Sequence, residues 1–189
     1  MTKELYIDRI LYPVDSLGPG RRLAIWVTGC NRHCPGCANP ELWERREYQR
    51  IETKQLAEAV RKNVTGPIDG ITITGGEPFE QADALADLLE IMDPAEDVLI
   101  FTGYRIEELS GKKDAEKLLS RVAVLIDGEY MENLNDGVSA LRGSVNQRIL
   151  FLRENVRETY GKYLSEGRKI RNFLYDYKTI STGIHSRGK

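Results

Sequence analysis

Every cysteine of the chain lies in one stretch, VTGCNRHCPGCANPELW at residues 27–43, where Cys30, Cys34 and Cys37 are spaced Cys-x3-Cys-x2-Cys. Thiolates crowded in this way hold soft metals, and a strand-like segment runs straight into them. Pro35 and Gly36 inside the motif, with Gly29 just before it, allow a tight loop to turn its thiols inward. Two chemistries fit. With His33 as a fourth donor the loop is a closed Cys3His zinc site of structural character. Such ligands usually come as two separated pairs, whereas these four fall within eight residues and His33 abuts Cys34. Without a fourth donor, three thiolates bind three irons of a 4Fe–4S cluster and leave the fourth iron open to a substrate-like ligand.

The second chemistry has a known use, chelation of S-adenosylmethionine through its amino and carboxylate groups. One electron then cleaves the sulfonium to methionine and a 5′-deoxyadenosyl radical. The loop spacing resembles the signature of the radical S-adenosylmethionine superfamily. TGGEP at residues 74–78 strengthens the resemblance, about 40 residues on and at the end of the next strand. There the superfamily places Gly-Gly-Glu-Pro against the methionine amino group, which implies that Gly75, Gly76, Glu77 and Pro78 bind the cofactor. Glycines permit close backbone approach, and a carboxylate suits an ammonium. Taken alone, the same residues also read as a strand-to-helix turn with an acid in the first helical turn.

Further stretches resemble the activating enzymes of glycyl radical enzymes: SLGPGRR (16–22) before the strand, and CANPELW (37–43) with Asn39 two residues after the third cysteine. YPVDSLGPG (12–20), CPGC (34–37), FTGY (101–104), VLIDGEY (124–130) and LRGSVNQRI (141–149) are similar, in the same order, to stretches of the anaerobic ribonucleotide reductase activating enzymes. The resemblance spans residues 11–152. It implies an α/β fold, a partial (β/α) barrel of the radical S-adenosylmethionine type, with Cys30, Cys34 and Cys37 as cluster ligands. It also implies an oxidoreductase that takes a hydrogen atom from one glycine Cα of a partner glycyl radical enzyme. An electron donor such as flavodoxin or ferredoxin belongs to that reaction. Asn39, Gly103, Tyr104 and Asp127 join the glycine-turn residues as expected cofactor contacts; Tyr104 and Asp127 also read as ordinary strand-end residues. The chemistry needs no general base, so His33 is read as a loop residue and His185 as a tail residue. Ala38 departs from relatives that carry an aromatic or polar residue there.

The elements that must position these groups follow from periodicity. RLAIWVT (22–28), GITITGG (70–76), DVLIFTGY (97–104), VAVLID (122–127) and QRILFL (147–152) read as short, apolar strands. TKQLAEAVRKN (53–63), EQADALADLLEIM (80–92, stopped near Pro94) and DAEKLLSRV (114–122) read as helices. Strands alternating with helices predict parallel βαβ units, too few to close an eight-stranded barrel. The length suits one domain, 1–153, followed by an extension, 154–189. The extension is basic and aromatic (Arg157, Lys162, Arg168, Lys169, Arg171, Tyr160, Tyr163, Phe173, Tyr177), helical over 154–165 and frayed over STGIHSRGK.

With 41% hydrophobic and 30% charged residues and a net charge of −2, the composition is that of a soluble globular chain. It gives no basicity pointing to nucleic acid. Neither a long apolar run nor a basic-then-apolar leader is present, so a cytoplasmic location and no membrane contact are expected. Two alternatives stay open beside the activating enzyme. One is a radical S-adenosylmethionine enzyme acting on another protein, a peptide or a small molecule, and the other is a non-catalytic zinc module.

Overall fold

The computed structural model describes residues 3–93, 97–175 and 177–185. Its centre is a seven-stranded sheet ordered β3-β1-β2-β4-β5-β6-β7. These strands are β1 (Glu4–Val14), β2 (Arg22–Val27), β3 (Arg50–Glu52), β4 (Gly70–Gly75), β5 (Val98–Phe101), β6 (Val124–Asp127) and β7 (Arg148–Phe151). The inner strands β2, β4, β5 and β6 are parallel, while β1, β3 and β7 pair antiparallel at the flanks. The molecule is therefore mixed α/β with a mostly parallel central sheet. β2 is buried along its whole length, as expected of a parallel strand covered on both faces.

Two helices cover one face because their apolar residues recur at helical spacing. α1 (Thr53–Asn63) buries Leu56, Ala57 and Val60, and α2 (Ala82–Met92) buries Leu85, Leu88 and Leu89 against Leu23, Ile25, Ile71 and Ile73. Two short helices, α3 (Ile106–Leu109) and α4 (Lys113–Leu119), complete the connection from β5 to β6. The opposite face holds a second core around Leu99, Val124 and Ile126. Tyr160 and Tyr163 of α5 (Arg157–Ser165) are buried there.

α5 is fixed to the segment preceding β2 by a buried polar network. Tyr160 Oη donates to Asp97 Oδ1 at 2.7 Å, and Asp97 Oδ2 accepts from Arg22 at 2.6 Å. Arg22 is fully buried and also donates to Thr72 Oγ1 (2.6 Å) and to the Ile71 carbonyl (2.8 Å). Tyr163 Oη donates to the Asp15 carbonyl and accepts from the Gly18 amide. A charge so far from water persists only when every donor finds an acceptor, and the turn around Gly18 wraps this side chain.

Three expectations need correction. RLAIWVT, the earliest segment expected to be a strand, is preceded by β1. β1 escapes the periodic reading because register shifts between Ile7 and Arg9 and between Leu11 and Val14 break the alternation that marks a strand. QRILFL forms β7, which runs antiparallel to β6 rather than in a parallel βαβ unit. STGIHSRGK is not frayed throughout, because 181–183 end β9 (Lys178–Gly183), which pairs with β8 (Ile170–Tyr175) as a separate hairpin. Pro94, expected to stop the second helix, lies outside the described residues, as do residues 186–189. Among the described residues no helix is long and apolar enough to cross a membrane.

Candidate functional site

Parallel strands deliver their C-terminal ends to one edge of the sheet, where open α/β sheets collect ligands. β2 ends at Val27 and runs into the cysteine loop; β4 ends at Gly75, β5 at Phe101 and β6 at Asp127. A cavity of about 360 Å³ opens at this edge, a size within the usual range of ligand pockets. Cys30, Cys34 and Cys37 border it, together with Asn39, Gly75, Gly76, Glu77 and Gly103. All three cysteines are half-buried.

The loop and the glycine turn are laced together by backbone. The amide of Gly76 donates to the Val27 carbonyl and that of Glu77 to the Gly29 carbonyl, both at 2.8 Å. Such approach is possible only without side chains. A methyl on Gly75 would lie 2.4 Å from the Val27 carbonyl oxygen, and one on Gly76 2.4 Å from that of Gly29. Gly75 also holds φ at 109°, where L side chains are strained. At the other end of the loop the amides of Gly29 and Cys30 donate to the carbonyls of Leu42 and Trp43, closing it into a ring-like turn. His33 packs against Trp43 with the rings tilted at 43° and their centroids 4.7 Å apart.

Glu77 is almost wholly buried. Its carboxylate accepts from the Phe79 amide (3.0 Å), from Thr102 Oγ1 (2.7 Å) and from the Gly103 amide (2.8 Å). Burial nevertheless outweighs these three donors and pushes its pKa up to about 7. The group is thus a carboxyl poised between its two charge states, bridging the ends of β4 and β5. Burial also pushes the Cys30 and Cys34 thiols up, so a metal must displace their protons to bind.

The remaining expected contacts sit elsewhere. Pro78 opens the short 3-10 turn Pro78–Gln81 and is buried. Tyr104 lies beneath Arg32, whose guanidinium carbon is 4.9 Å from the ring centroid. Asp127 is fully buried and taken up by protein donors: Arg148 Nε at 2.8 Å, the Ile106 amide at 2.9 Å and Arg105. None of these three borders the cavity.

Several cavity residues escaped the sequence reading. Arg32 sits between the first two cysteines and borders the cavity. It approaches Glu129 at 3.6 Å and Glu108 at 4.0 Å, and its Nε is buried with no hydrogen-bond partner. A cation inside a thiol loop was the available signal. Trp26 and Phe101 reach the cavity from the sheet, and Ser181–His185 reach it from the end of the chain. His185, read as a tail residue, is thus part of the wall.

The donor set fits an iron–sulfur cluster with an open site. Three thiols and no fourth cysteine face a cavity large enough for a further ligand, with glycine backbone and a carboxyl beside them. Among the described residues, no three His, Cys, Asp or Glu side chains converge as ligands of a single ion.

Residues 16–150 match the family described as a 4Fe-4S single cluster domain. The anaerobic ribonucleoside-triphosphate reductase-activating protein of Salmonella typhi is 32% identical over 151 residues, covering 75% of this chain and 96% of that protein. The protein of that name from Enterobacteria phage T4 is 36% identical over 148 residues, covering 75% and 91%. The one from Escherichia coli K12 is 31% identical over 152 residues, covering 75% and 96%. Among solved structures, QueE from Escherichia coli aligns with a TM-score of 0.45 and 20% identity over 53% of this chain and 52% of that one.

Proposed function

We propose, for a chain that belongs to the 4Fe-4S single cluster domain family and to the anaerobic ribonucleoside-triphosphate reductase-activating proteins, that the cavity at the sheet edge is its radical-generating site. In this reading the chain cleaves S-adenosylmethionine reductively and removes a hydrogen atom from a glycine of an anaerobic ribonucleoside-triphosphate reductase. When bound, the cluster supplies the electron that splits the sulfonium into methionine and a 5′-deoxyadenosyl radical. That radical takes hydrogen from the glycine Cα, giving 5′-deoxyadenosine and a glycyl radical on the partner. The sheet then acts as a partial (β/α) barrel, open where the partner enters. A flavodoxin or ferredoxin in the cytoplasm serves as electron donor.

The chain's own residues divide the work. Cys30, Cys34 and Cys37 hold three irons. Gly75 and Gly76 bring bare backbone to the ligand, and Glu77 meets its ammonium as a carboxylate. Asn39 and Gly103 complete the contact surface. Tyr104 supports Arg32 from beneath, while Asp127 pins Arg105 and Arg148 around the end of β6 and Pro78 fixes the turn that carries Glu77. The observation that carries the reading is the convergence of three thiols and a Gly-Gly-Glu turn on one cavity, joined by the Glu77–Gly29 backbone bond. The test is anaerobic reconstitution with iron and sulfide followed by dithionite and S-adenosylmethionine. A brown protein with about four irons that forms 5′-deoxyadenosine is expected. A colourless protein holding one zinc contradicts it.

A further inference from the structure

We propose that the hairpin of β8 and β9 is part of the cofactor site, a wall that the open sheet lacks, with Ile184 and the backbone of Gly183 against the nucleoside half of S-adenosylmethionine. The inference rests on the functional reading above. It concerns residues beyond 150, where the match to the family ends.

Ser181, Thr182, Gly183, Ile184 and His185 border the same cavity as the three cysteines and the glycine turn. Their position is fixed from several sides. Thr182 and Ser16 are both buried, and their hydroxyl oxygens lie 2.9 Å apart across 166 residues of sequence. Arg171 pairs with Asp15 at 2.8 Å, and Asn135 Nδ2 donates to the His185 carbonyl. Phe173 and Ile184 pack on the apolar group formed by Val14, Leu17, Ala24, Trp26 and Leu42. A hairpin held by a buried hydroxyl pair, an ion pair and an apolar base is seated rather than resting on the surface.

The strand passes the cavity as bare backbone. Gly183 holds φ at 125°, and a methyl there would lie 2.2 Å from the Lys169 carbonyl oxygen. Thr182 spends its hydroxyl on Ser16, which makes it a positioning residue. If the cysteine end and Glu77 take the methionine portion, the ligand's remainder meets Trp26, Phe101 and Ile184, an aromatic and aliphatic surface suited to a flat purine.

The test uses the full chain loaded with oxidised cluster and S-adenosylmethionine without reductant, so that binding is read in the absence of turnover. Hydrogen exchange at the amides of 180–185 should slow when the cofactor is added. The dissociation constant should rise on the order of tenfold in Ile184→Asp and in Thr182→Val. It should stay within about twofold in Thr182→Ser, which keeps the hydroxyl, with iron content equal in all. Binding to the wild-type chain without slowed exchange at 180–185 overturns the inference and leaves the functional reading intact, and so does wild-type affinity in both Ile184→Asp and Thr182→Val. Should the variants not fold, exchange on the wild-type chain decides alone. A cluster-loaded wild-type chain that binds no S-adenosylmethionine overturns both.

Discussion

The amide of Glu77 donates to the carbonyl of Gly29 at 2.8 Å, so the turn after β4 is bonded to the residue immediately before the first cysteine. The cysteine loop and the glycine turn are therefore joined through backbone, and disturbance of either should be felt by both.

Gly76→Ala tests this coupling. Its methyl would meet the Gly29 carbonyl oxygen at 2.4 Å, a backbone atom that cannot swing aside. Overpacking of this kind costs on the order of 2 kcal/mol and should push the loop out of place. The variant should retain fewer irons after reconstitution and unfold at lower denaturant, although no cysteine has changed. Full iron retention with undiminished stability would show that loop and turn are independent.

Cys34→Ala should remove the cluster altogether, because two thiolates cannot hold a cubane that three hold. Iron analysis should fall from about four per chain to a trace, with circular dichroism still showing a folded sheet. A Cys34→Ala protein that keeps its iron contradicts the ligand assignment.

Glu77 predicts a pH dependence of defined sign. Its folded pKa of about 7 lies above the ordinary 4.5, so the folded chain keeps a proton that the unfolded chain releases. That stabilisation is complete below about pH 4.5 and is lost as pH rises through about 7. Denaturant titrations should show stability falling across this window, and Glu77→Gln should flatten the fall. An ammonium beside the group favours its charged form. S-adenosylmethionine binding should then release a proton below about pH 7 and tighten as pH rises toward it. Calorimetry in buffers of different ionisation enthalpy reads this directly; binding without proton release removes Glu77 from the ammonium.

Much of this site was legible in the residues, and the reasons differ by element. The cysteine loop and the glycine turn were readable because each needs particular residue types at fixed spacing. α1 and α2 were readable because their apolar residues keep one period. β1 was not, since its register shifts carry core residues from one face to the other. Asp127 read as a cofactor contact or an ordinary strand-end acid, for nothing local announces Arg148, 21 residues on, as its partner. The hairpin was illegible for a related reason: a polar, basic strand reads as a tail until Ser16 and Asp15 are placed beside it.

Tyr160→Phe measures how firmly the extension is built in. The change removes the hydrogen bond to Asp97 and leaves a partly buried carboxylate oxygen one donor short, at a cost of about 1 kcal/mol. Denaturant midpoints should drop accordingly while iron content and S-adenosylmethionine cleavage stay unchanged. An unaltered midpoint would mean that α5 does not share the cooperative core.

The most direct test of the central claim is electron paramagnetic resonance of the reconstituted protein mixed anaerobically with an anaerobic ribonucleoside-triphosphate reductase, a reductant and S-adenosylmethionine. A glycine-centred radical on the reductase is expected, appearing together with an equal amount of 5′-deoxyadenosine and absent with Cys34→Ala. Formation of 5′-deoxyadenosine with no radical on the reductase would contradict it.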